Sequence, residues 1–559
     1  MAKHLLFAAL VALAGCGESS AGYGSSPDGG SGAGTPECFS SNECPTGWQC
    51  SEFGVCVPPP PPTADGGAPP PPEVEYELGA PVSSLRYIYV AMPDEDKVAK
   101  IDGKTLAVSS ISVGEHPEIV AAVPDSDTAV ALDTINGTAT IIRPTVSADQ
   151  KLTFATLPNL NQLMVDPSGR FAVAWFDLTR AIADAGGLDF VDQIGSFQDV
   201  TVVNLQNGEE TAVDLTVGFR PREVEFDAAG DRAYVITDDG VSVIDLASAT
   251  EQGPSIVPPI PIGDPFADPT ALEVDVMATG DYAVVREAGE ASVRVLGLDG
   301  AERGVSRVID LPSEPSDLDL SPDGTRAFAV LRETSQLAVI DVPGDAVDPS
   351  GVDLVGLGGE TVGSLVLTAD ASRGVLFTNA YAIERITVIE LDQAGYPHTT
   401  YPLQKSIRHV QIHPGGHKAL IFHAKAAGDP AQAQSLEEFI DRSYGYSVFD
   451  LDQGFAKLQL TPVDPGAMAM PASAQRAYVI LDGGDSEGAL AEVQTIELDT
   501  GVVRHMTLGS PPEMVGVLPD AGTAFVSQRH PLGRLSFIDI ASGAVRTITG
   551  FDLNSLIID

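Results

Sequence analysis

Basic residues are scarce in this sequence. Its 559 residues include 31 Lys and Arg against 78 Asp and Glu, so the net charge is −47 at pH 7 and the pI is near 4.2. A phosphate backbone would be repelled by such a chain, which excludes nucleic acid as a partner. The simplest interpretation of this charge is a soluble surface that resists self-association, and we expect a monomer. A surface that attracts cations is the alternative.

The motifs of familiar enzymes and metal sites are absent as well. There is no Gly-x-Ser-x-Gly elbow, His-Glu-x-x-His pair or Walker loop, so no catalytic residue and no metal ligand is predicted. An Asp-x-Asp-x-Asp-Gly calcium loop is also absent. Asp-rich turns such as Pro124-Asp125-Ser126-Asp127 still offer the oxygen ligands that hard cations take. Ca²⁺ is therefore the one cofactor that the sequence leaves open.

The apolar run at the N-terminus, Leu5 to Leu13, is too short to span a membrane. It follows a basic residue and precedes small ones, which is the pattern of a secretory signal, here residues 1–15. The run ends in Leu13-Ala14-Gly15-Cys16, which resembles the lipobox of bacterial lipoproteins. The resemblance implies that Cys16 becomes the N-terminus of the mature protein. It also implies that Cys16 carries lipid through its sulfur, with more acyl chains than the two that stable anchoring needs.

Residue 17 bears on the destination of the protein. In bacterial lipoproteins an Asp after the lipid-carrying Cys favours retention in the inner membrane. This chain has Gly17 there, so the resemblance implies an exported protein that is anchored by lipid at the outer membrane or cell surface. An ordinary signal peptide followed by an incidental Cys is the alternative.

Cysteine occurs only before residue 57. After a Gly- and Ser-rich tether, residues 16–35, four cysteines follow at a constant interval of six within residues 36–57: Cys38, Cys44, Cys50 and Cys56. In an exported segment too short to form a core, they predict two disulfides, with three connectivities open. The module resembles small EGF-like or Dickkopf-like modules, and a Cys₄ metal site is the alternative. Residues 58–75 are Pro-rich and predict a stiff spacer.

The rest of the chain, residues 76–559, consists of repeats of about 45–60 residues, which is a propeller-blade length. The stretch Glu314 to Asp341 shows the unit most clearly. In it, Leu318 and Leu320 alternate with two aspartates, a Pro-Asp-Gly turn follows, and two further apolar runs complete the unit. Apolar spacing of period two with such turns predicts a β-meander.

This repeat resembles the YVTN-type β-propeller repeat of bacterial surface proteins. That repeat has a Pro-led first strand, a Pro-Asp-Gly turn, a Tyr-Val second strand and a Val-Ile-Asp third strand, and Tyr234-Val235 and Tyr478-Val479 keep the Tyr-Val pair. The resemblance implies an all-β fold, a single large β-propeller of four-stranded antiparallel blades, about eight to ten in number. Two smaller rings are the competing topology. The resemblance implies little about function, because propellers have many activities.

The two ends of the repeat region predict how the ring closes. Residues 551–559 look like a lone first strand, and the N-terminal unit lacks its first strand. Pairing of these N- and C-terminal strands would complete one blade and remove the exposed edges that a linear array has. Nine full units plus this composite one give about ten blades.

Three insertions separate the second and third strands of their units: Thr179 to Asp199, Ala426 to Tyr446 and Asp482 to Glu492. The sequence of the second insertion predicts a short helix around Leu436–Ile440. In a four-stranded blade these loops share a rim with the loops that lead into first strands. That rim is the expected binding face, because loops on a rigid scaffold carry function. Tolerated drift of surface loops is the alternative.

Polar residues begin the innermost strands of five units, near the mouth of the central channel. They form a candidate ligand site of Gln162, Glu223, Asp317, Ser364 and His409, with Arg408 beside the last. Such a ring would suit a cation or a small polar ligand, and a solvated channel lining is the alternative. His409 and His413 share one face of a strand but lie about 13 Å apart by strand rise, so one metal ion cannot join them.

The predicted function is that of a surface-exposed, lipid-anchored module that binds or scaffolds an envelope protein or polysaccharide. A hydrolase or lactonase at the channel mouth is the alternative. It would need Glu223, Asp317 and His409 to converge within about 3–5 Å of one point, with Arg222 and Arg408 beside them. Propellers whose blades are docked by Trp are excluded, because the chain has only Trp48 and Trp175.

Overall fold

The computed structural model describes residues 49–50, 56–57, 78–145, 148–188, 191, 193–263, 268–482 and 490–550. The chain divides into a small unit, Ala12–Glu75, and a large one that contains Tyr76–Asp559. In the small unit, β1 (Gln49–Cys50) and β2 (Cys56–Val57) form an antiparallel pair. Cys16, Cys38 and Cys44 lie outside the described residues, as do the tether and the spacer. The lipid anchor, the disulfides and the boundaries before residue 76 therefore stay predictions.

The first five blades of the large unit follow one another along the chain. Blade 1 consists of β3 (Val82–Ser83), β4 (Tyr87–Met92), β5 (Lys97–Asp102) and β6 (Val108–Ser112). Blade 2 consists of β7 (Pro117–Ala122), β8 (Ala129–Asp133), β9 (Thr138–Arg143) and β10 (Gln150–Ala155). Blade 3 consists of β11 (Gln162–Val165), β12 (Phe171–Trp175), β13 (Asp199–Asn204) and β14 (Thr211–Thr216). Blade 4 contains β15 (Glu223–Phe226), β16 (Arg232–Thr237) and β17 (Gly240–Asp245), and β18 (Ser255–Ile256) follows it. Blade 5 consists of β19 (Leu272–Val276), β20 (Tyr282–Glu287), β21 (Ser292–Gly297) and β22 (Ser306–Asp310).

The other five blades repeat the same order. Blade 6 consists of β23 (Asp317–Leu320), β24 (Arg326–Leu331), β25 (Gln336–Asp341) and β26 (Asp353–Gly356). Blade 7 consists of β27 (Ser364–Leu367), β28 (Arg373–Phe377), β29 (Arg385–Glu390) and β30 (His398–Pro402). Blade 8 consists of β31 (Ile407–Ile412), β32 (Lys418–His423), β33 (Tyr444–Asp450) and β34 (Phe455–Thr461). Blade 9 consists of β35 (Met468–Ala469), β36 (Arg476–Ile480), β37 (Glu492–Glu497) and β38 (Val502–Thr507). Blade 10 consists of β39 (Pro512–Leu518), β40 (Thr523–Gln528), β41 (Arg534–Asp539) and β42 (Val545–Thr549).

Ten antiparallel blades confirm the predicted β-propeller. Blade 4 departs from the pattern at its outer edge, where β18 runs back to pair in parallel with β14 of blade 3. The outer edge of β17 is bridged instead by Ile260, which pairs with Val241. The described helices are short: α1 (Leu178–Ala185), α2 (Leu246–Gln252), α3 (Gly344–Val347) and α4 (Leu436–Arg442). Among the residues that the structure describes, no helix is long and apolar enough to cross a membrane.

Burial changes across each blade in a way that explains the sequence pattern. Every residue of the second strands β8, β12 and β32 is buried. The outermost strands β10 and β42 are mostly exposed. A second strand is covered by strands on both sides and by a neighbouring blade on both faces, so most of its residues are apolar. An outer strand meets solvent and alternates instead.

Buried apolar clusters fill the interfaces between blades, one cluster for each pair of neighbours. One of them joins the last blade to the first, where Ile88 and Val90 pack with Phe525 and Phe537. All four of these side chains are at most 1% exposed. The apolar faces of the two terminal blades therefore cover each other, and the described blades form one closed ring.

The first blade differs from the expectation that it lacks a first strand. Val82 pairs with Tyr89 and Ser83 with Ile88, and the Gly79 N–H donates to the Ala91 carbonyl. This strand is short and polar at its end, so the apolar alternation that marks first strands elsewhere is missing. Segment 551–559, predicted to occupy this place, lies outside the described residues.

A buried polar side chain stands before the turn from first to second strand in several blades. The members of this set are Asp166, Asp227, Ser321, Thr368 and His413. Each accepts a hydrogen bond from a backbone N–H of the turn or of the strand that follows it. His413 accepts from the Gly415 N–H through Nδ1 at 2.9 Å, as the aspartates do through their carboxylates. The residue type varies, and the structural role stays the same.

Arginines at the start of second strands connect several blades to the next. Arg232 donates to Asp299 at 2.7 Å, and Arg326 donates to the Leu391 carbonyl at 2.8 Å. Arg373 reaches Asp452 at 2.8 Å. These contacts tie charged side chains at the start of a blade to the blade that follows.

Candidate functional site

The candidate channel-mouth residues occupy equivalent places in their blades. First strands of neighbouring blades contact each other, β23 with β27 and β27 with β31, so they surround the channel. The strand register pairs each candidate with the same position of its second strand: Gln162 with Trp175, Glu223 with Ile236, Asp317 with Val330, Ser364 with Phe377, and His409 with Phe422. The structure thus places the five residues in one register position, in blades 3, 4, 6, 7 and 8.

Blade 5 has a sixth residue at this position that the sequence reading missed. Glu273 pairs there with Arg286, and their side chains form an ion pair at 2.5 Å. The signal was present in the alternation Leu272-Glu273-Val274-Asp275, which repeats the pattern around Asp317. Its partner Arg286 stands where the other five blades have an apolar residue.

Asp317 contacts both neighbouring blades. Its Oδ2 accepts a hydrogen bond at 2.7 Å from the Leu365 N–H, on the innermost strand of blade 7. Burial raises the pKa of the Asp317 carboxyl and the nearby Glu273 adds to this rise, while the Leu365 N–H and Arg286 oppose it. The Asp317 carboxylate therefore accepts a hydrogen bond from a backbone N–H at the inner edge of the ring. No further strand is present there to accept it.

Glu225 has the same role between blades 4 and 5. Its Oε2 accepts from the Val276 N–H at 2.8 Å, on the innermost strand of blade 5. Acidic residues on alternate positions of the first strands thus satisfy backbone donors of the next blade. This accounts for part of the acidic lining of the channel without a ligand.

Arg408 is also held by a neighbouring blade. Its guanidinium donates to Asp464 Oδ2 at 2.8 Å and to the Pro465 carbonyl at 3.1 Å, both at the entrance to blade 9. Arg222 reaches the Pro269 carbonyl at 2.7 Å, and Arg286 reaches the Pro315 carbonyl at 3.0 Å, in the same manner. These arginines connect successive blades at the channel mouth.

His409 stands at the start of the innermost strand of blade 8, on its exposed side. Its ring centroid lies 6.5 Å from that of Phe422, which lies 6.0 Å from that of Tyr446. Desolvation by the surrounding protein lowers the pKa of His409, and the positive charge of Arg408 lowers it further. Both effects favour the neutral form of the imidazole.

The candidate residues do not form one cluster of metal-ligating groups. Glu223, Asp317 and His409 lie on blades 4, 6 and 8, and within the described ranges no three His, Cys, Asp or Glu side chains are placed to hold a metal ion. In the Asp-rich turn of blade 2, the Asp127 carboxylate accepts from Ser84 and from the Arg86 N–H, each at 2.8 Å. That aspartate ties blade 2 to blade 1.

Two cavities open on the rim that carries the turns between first and second strands. One, of about 410 Å³, is lined by aspartates of blades 4 and 5 around Arg232. The other, of about 470 Å³, lies beside Arg326, where Tyr396 donates to Asp353 at 3.0 Å. Both are gaps next to the arginines that connect neighbouring blades.

The opposite rim carries the insertions and most of the exposed apolar loop residues. The side chains on this rim, in loops between second and third strands or before first strands, are Ile135, Leu188, Ile194, Phe219, Tyr381, Leu436 and Phe439. By contrast, Val305 and Val347 are the exposed large apolar loop residues of the other rim among those described. We call the first the insertion rim. Isolated apolar residues are common on surfaces, but their concentration on one rim is informative.

Two insertions of this rim are built as ordered structures. Helix α1 is capped at its N-terminus by Asp177, whose side chain accepts from the Thr179 and Arg180 N–H groups. Phe176, Phe197 and Phe219 form a row of rings with centroids 6.0 and 6.1 Å apart. Helix α4 confirms the short helix predicted in the second insertion, whereas α1 was not predicted. The third insertion lies mostly outside the described residues.

Comparison with known proteins extends no further than the fold. No protein-family model and no curated protein matches the chain. A eukaryotic initiation factor is 10% identical, with 78% of this chain and 97% of that one covered at a TM-score of 0.47. The dihydro-heme d1 dehydrogenase NirN is 13% identical over 76% and 75% of the two chains, with a TM-score of 0.39. Apo AztD from Citrobacter koseri is 12% identical over 69% and 96%, with a TM-score of 0.37.

Proposed function

We propose that this protein is a lipid-anchored binding module of the bacterial cell envelope and that its insertion rim is the binding face. The observation that carries the proposal is the concentration of exposed apolar loop residues on that rim. The opposite rim and the channel mouth present mainly polar groups that are engaged with neighbouring blades. Loops on a rigid scaffold are where binding residues are usually found.

The envelope location is supported by the N-terminal sequence. A signal-like run precedes Leu13-Ala14-Gly15-Cys16, and Gly/Ser-rich and Pro-rich segments follow before the propeller. Such segments would hold a large domain away from a membrane surface. The partner is then a component of the envelope or of its surroundings, either a protein or a polysaccharide.

The anchor is tested by growing bacteria that express the full chain with an alkyne-labelled fatty acid and then fractionating the cells. We expect label on the wild-type protein and its recovery with the membranes. Cys16→Ser should lose the label and appear in the soluble fraction. Cys50→Ser is the matched control, because it also removes one thiol but leaves the lipobox intact. Unlabelled wild-type protein in the soluble fraction would refute the anchor.

A further inference from the structure

The strongest unassigned feature of the insertion rim is a small apolar platform in blades 7 and 8. It consists of Tyr381, Leu436 and Phe439, whose side chains are 57%, 73% and 41% exposed. Leu436 and Phe439 are three positions apart in α4, so they lie on one face of that helix. We call these three residues the α4 platform.

The fold holds this platform rigidly. Helix α4 has seven residues, too few to be stable alone. Beneath it, the Nζ of Lys405, a residue only 1% exposed, donates to the Asp441 carbonyl at 2.6 Å. The Ala426 N–H donates to the same carbonyl at 2.8 Å. A cation at the C-terminal carbonyls of a helix also favours its dipole.

Further contacts fix the start and the length of the helix. The Ser435 side chain accepts from the Glu438 N–H at 3.1 Å, which is an N-cap. Glu438 in turn pairs with Arg442 one turn later at 2.5 Å. The structure thus commits several specific interactions to an element whose apolar face stays in solvent.

Lys405 also joins the two loops that carry the platform. Burial lowers the pKa of its ammonium, and the charges of Asp441 and Glu384 oppose that change. Asp441 belongs to the insertion of blade 8, and Glu384 follows Tyr381 in the corresponding loop of blade 7. The Leu403 N–H also donates to the Glu384 carbonyl at 2.7 Å, so the loops that carry Tyr381 and α4 both contact the segment around Lys405.

The charges that surround the platform are mainly negative. Glu384 and Glu437 are exposed, and neither forms an ion pair within the described part of the chain. The nearby basic groups are occupied: Arg442 pairs with Glu438, and the Lys425 ammonium lies 5.0 Å from the centroid of the Tyr444 ring. A second copy of this chain, with a net charge of −47, would be repelled, as would an anionic membrane surface.

We propose that the α4 platform docks a protein partner whose contact surface combines apolar side chains with Lys or Arg. The apolar groups would cover Leu436, Phe439 and Tyr381, and the basic groups would meet Glu384 and Glu437. Buried aromatic and aliphatic anchors within a charged rim are typical of binding hot spots. This inference rests on the proposed function, since it assigns a partner chemistry to the same rim.

The test uses a fluorescent amphipathic helical peptide made only of Leu and Lys, titrated with the full chain carrying Cys16→Ser. Binding is measured by fluorescence anisotropy. We expect the double variant Leu436→Ser, Phe439→Ser to weaken binding about tenfold or more. The matched control is Phe455→Ser, because Phe455 is 63% exposed on the outer strand of the same blade. It should change the affinity by less than about twofold.

Several outcomes would overturn the docking proposal. These are unchanged binding by the double variant, equal weakening by Phe455→Ser, or equally tight binding of a Leu-Glu peptide. Binding of neutral phosphatidylcholine vesicles that the double variant abolishes would assign the platform to a membrane instead. Melting temperatures check that each variant is folded. The lipid anchor is not involved in this assay. Failure of the docking proposal can therefore be distinguished from failure of the lipid-anchor proposal.

Discussion

Carboxylates in the innermost strands of this ring have a structural task that their residue type does not reveal. Asp317 and Glu225 accept hydrogen bonds from backbone N–H groups of the following blade. Those N–H groups border the channel, where they would otherwise rely on water. Burial of a charged acceptor beside a neutral donor costs free energy. The raised pKa of the Asp317 carboxyl reflects this cost.

Two substitutions at Asp317 distinguish the effect of its hydrogen-bond acceptor on stability from the effect of its negative charge. Asp317→Asn keeps an oxygen for the Leu365 N–H and removes the buried charge, so we expect a free energy of unfolding at pH 7 equal to or above that of the wild type. Asp317→Ala leaves the N–H unpaired and should lower it by about 1–3 kcal/mol. Urea denaturation measures both. A destabilised Asn variant would show that the charge itself is needed.

The pH dependence at Asp317 has a definite sign. Its carboxyl has a raised pKa in the folded state, so the folded chain holds the proton more tightly than the unfolded chain. The stability gained from this tighter proton binding is fully present below the pKa that the carboxyl has in the unfolded chain. It is lost as pH rises through the pKa of the folded chain. The advantage of Asp317→Asn over the wild type should therefore shrink when the comparison is repeated at pH 4.

His423 is expected to make stability fall in acid. The residue is 2% exposed, bonds the Ser406 carbonyl and the Ser447 hydroxyl, and burial lowers its pKa to about 4. Because the folded pKa is depressed, its contribution is present above pH 6.5 and is lost as pH falls toward 4. The loss is at most about 3 kcal/mol by linkage. The difference in melting temperature between wild type and His423→Gln should change between pH 6.5 and pH 4, because all other titrating groups are common to both proteins. A difference that stays constant over this range would contradict the lowered pKa of His423.

At the scale of elements, the insertions show how a repeat fold acquires a distinct face. Strands β32 and β33 of blade 8 continue the common pattern, while the segment between them forms α4 around the buried Lys405. Lys405, in the loop before blade 8, thus fixes the insertion between β32 and β33 of that blade. The ordered state of α4 depends on this tertiary contact more than on helix propensity.

Removal of that ammonium should loosen α4 and little else. For Lys405→Met, we expect faster hydrogen exchange in residues 436–442, with the strands of other blades unchanged. Lys425→Met is the control, because Lys425 is exposed and lies outside the helix. Mass spectrometry of peptic fragments reports both. Protection of α4 that persists in Lys405→Met would show that its side-chain caps suffice.

At the scale of the whole molecule, the ring gives every described blade two neighbours. In a linear array the end units fray first, because each has only one neighbour. Here the cluster of Phe525 and Phe537 with blade 1 gives both terminal blades a second neighbour. The molecule therefore has no weakest end among its described blades.

Two equally buried rings at different interfaces should carry similar penalties. Phe525→Ala at the closing interface and Phe328→Ala between blades 6 and 7 each remove a ring that is at most 1% exposed. Each should cost about 3–5 kcal/mol, so their melting temperatures should fall by similar amounts. A much smaller effect of Phe525→Ala would indicate that the closing interface opens before the rest of the ring unfolds.

The fold could be predicted because it depends on a local, repeated signal. The apolar runs of second strands and the Pro- and Gly-containing turns recur in each unit, and the unit count agrees with the ten blades observed. The role of Asp317 could not be predicted, because its partner Leu365 lies 48 positions away in the next blade. Glu273 could have been matched to Asp317 from the alternation of its strand, but its ion pair with Arg286 could not have been predicted. Such contacts depend on how blades face each other, which no local pattern encodes.

The closing contact has a consequence for the order of folding. Ties between neighbouring blades span distances such as the 48 residues between Asp317 and Leu365, whereas Arg546 meets the Lys104 carbonyl across 442 residues. Joining the longer segment costs about 2 kcal/mol more in chain entropy. Blades 1 to 9 can thus associate with their neighbours as the chain lengthens, but the second face of blade 1 stays uncovered until the last blade is made. Until then two apolar faces stay uncovered, and a chain truncated before residue 512 would remain in that state.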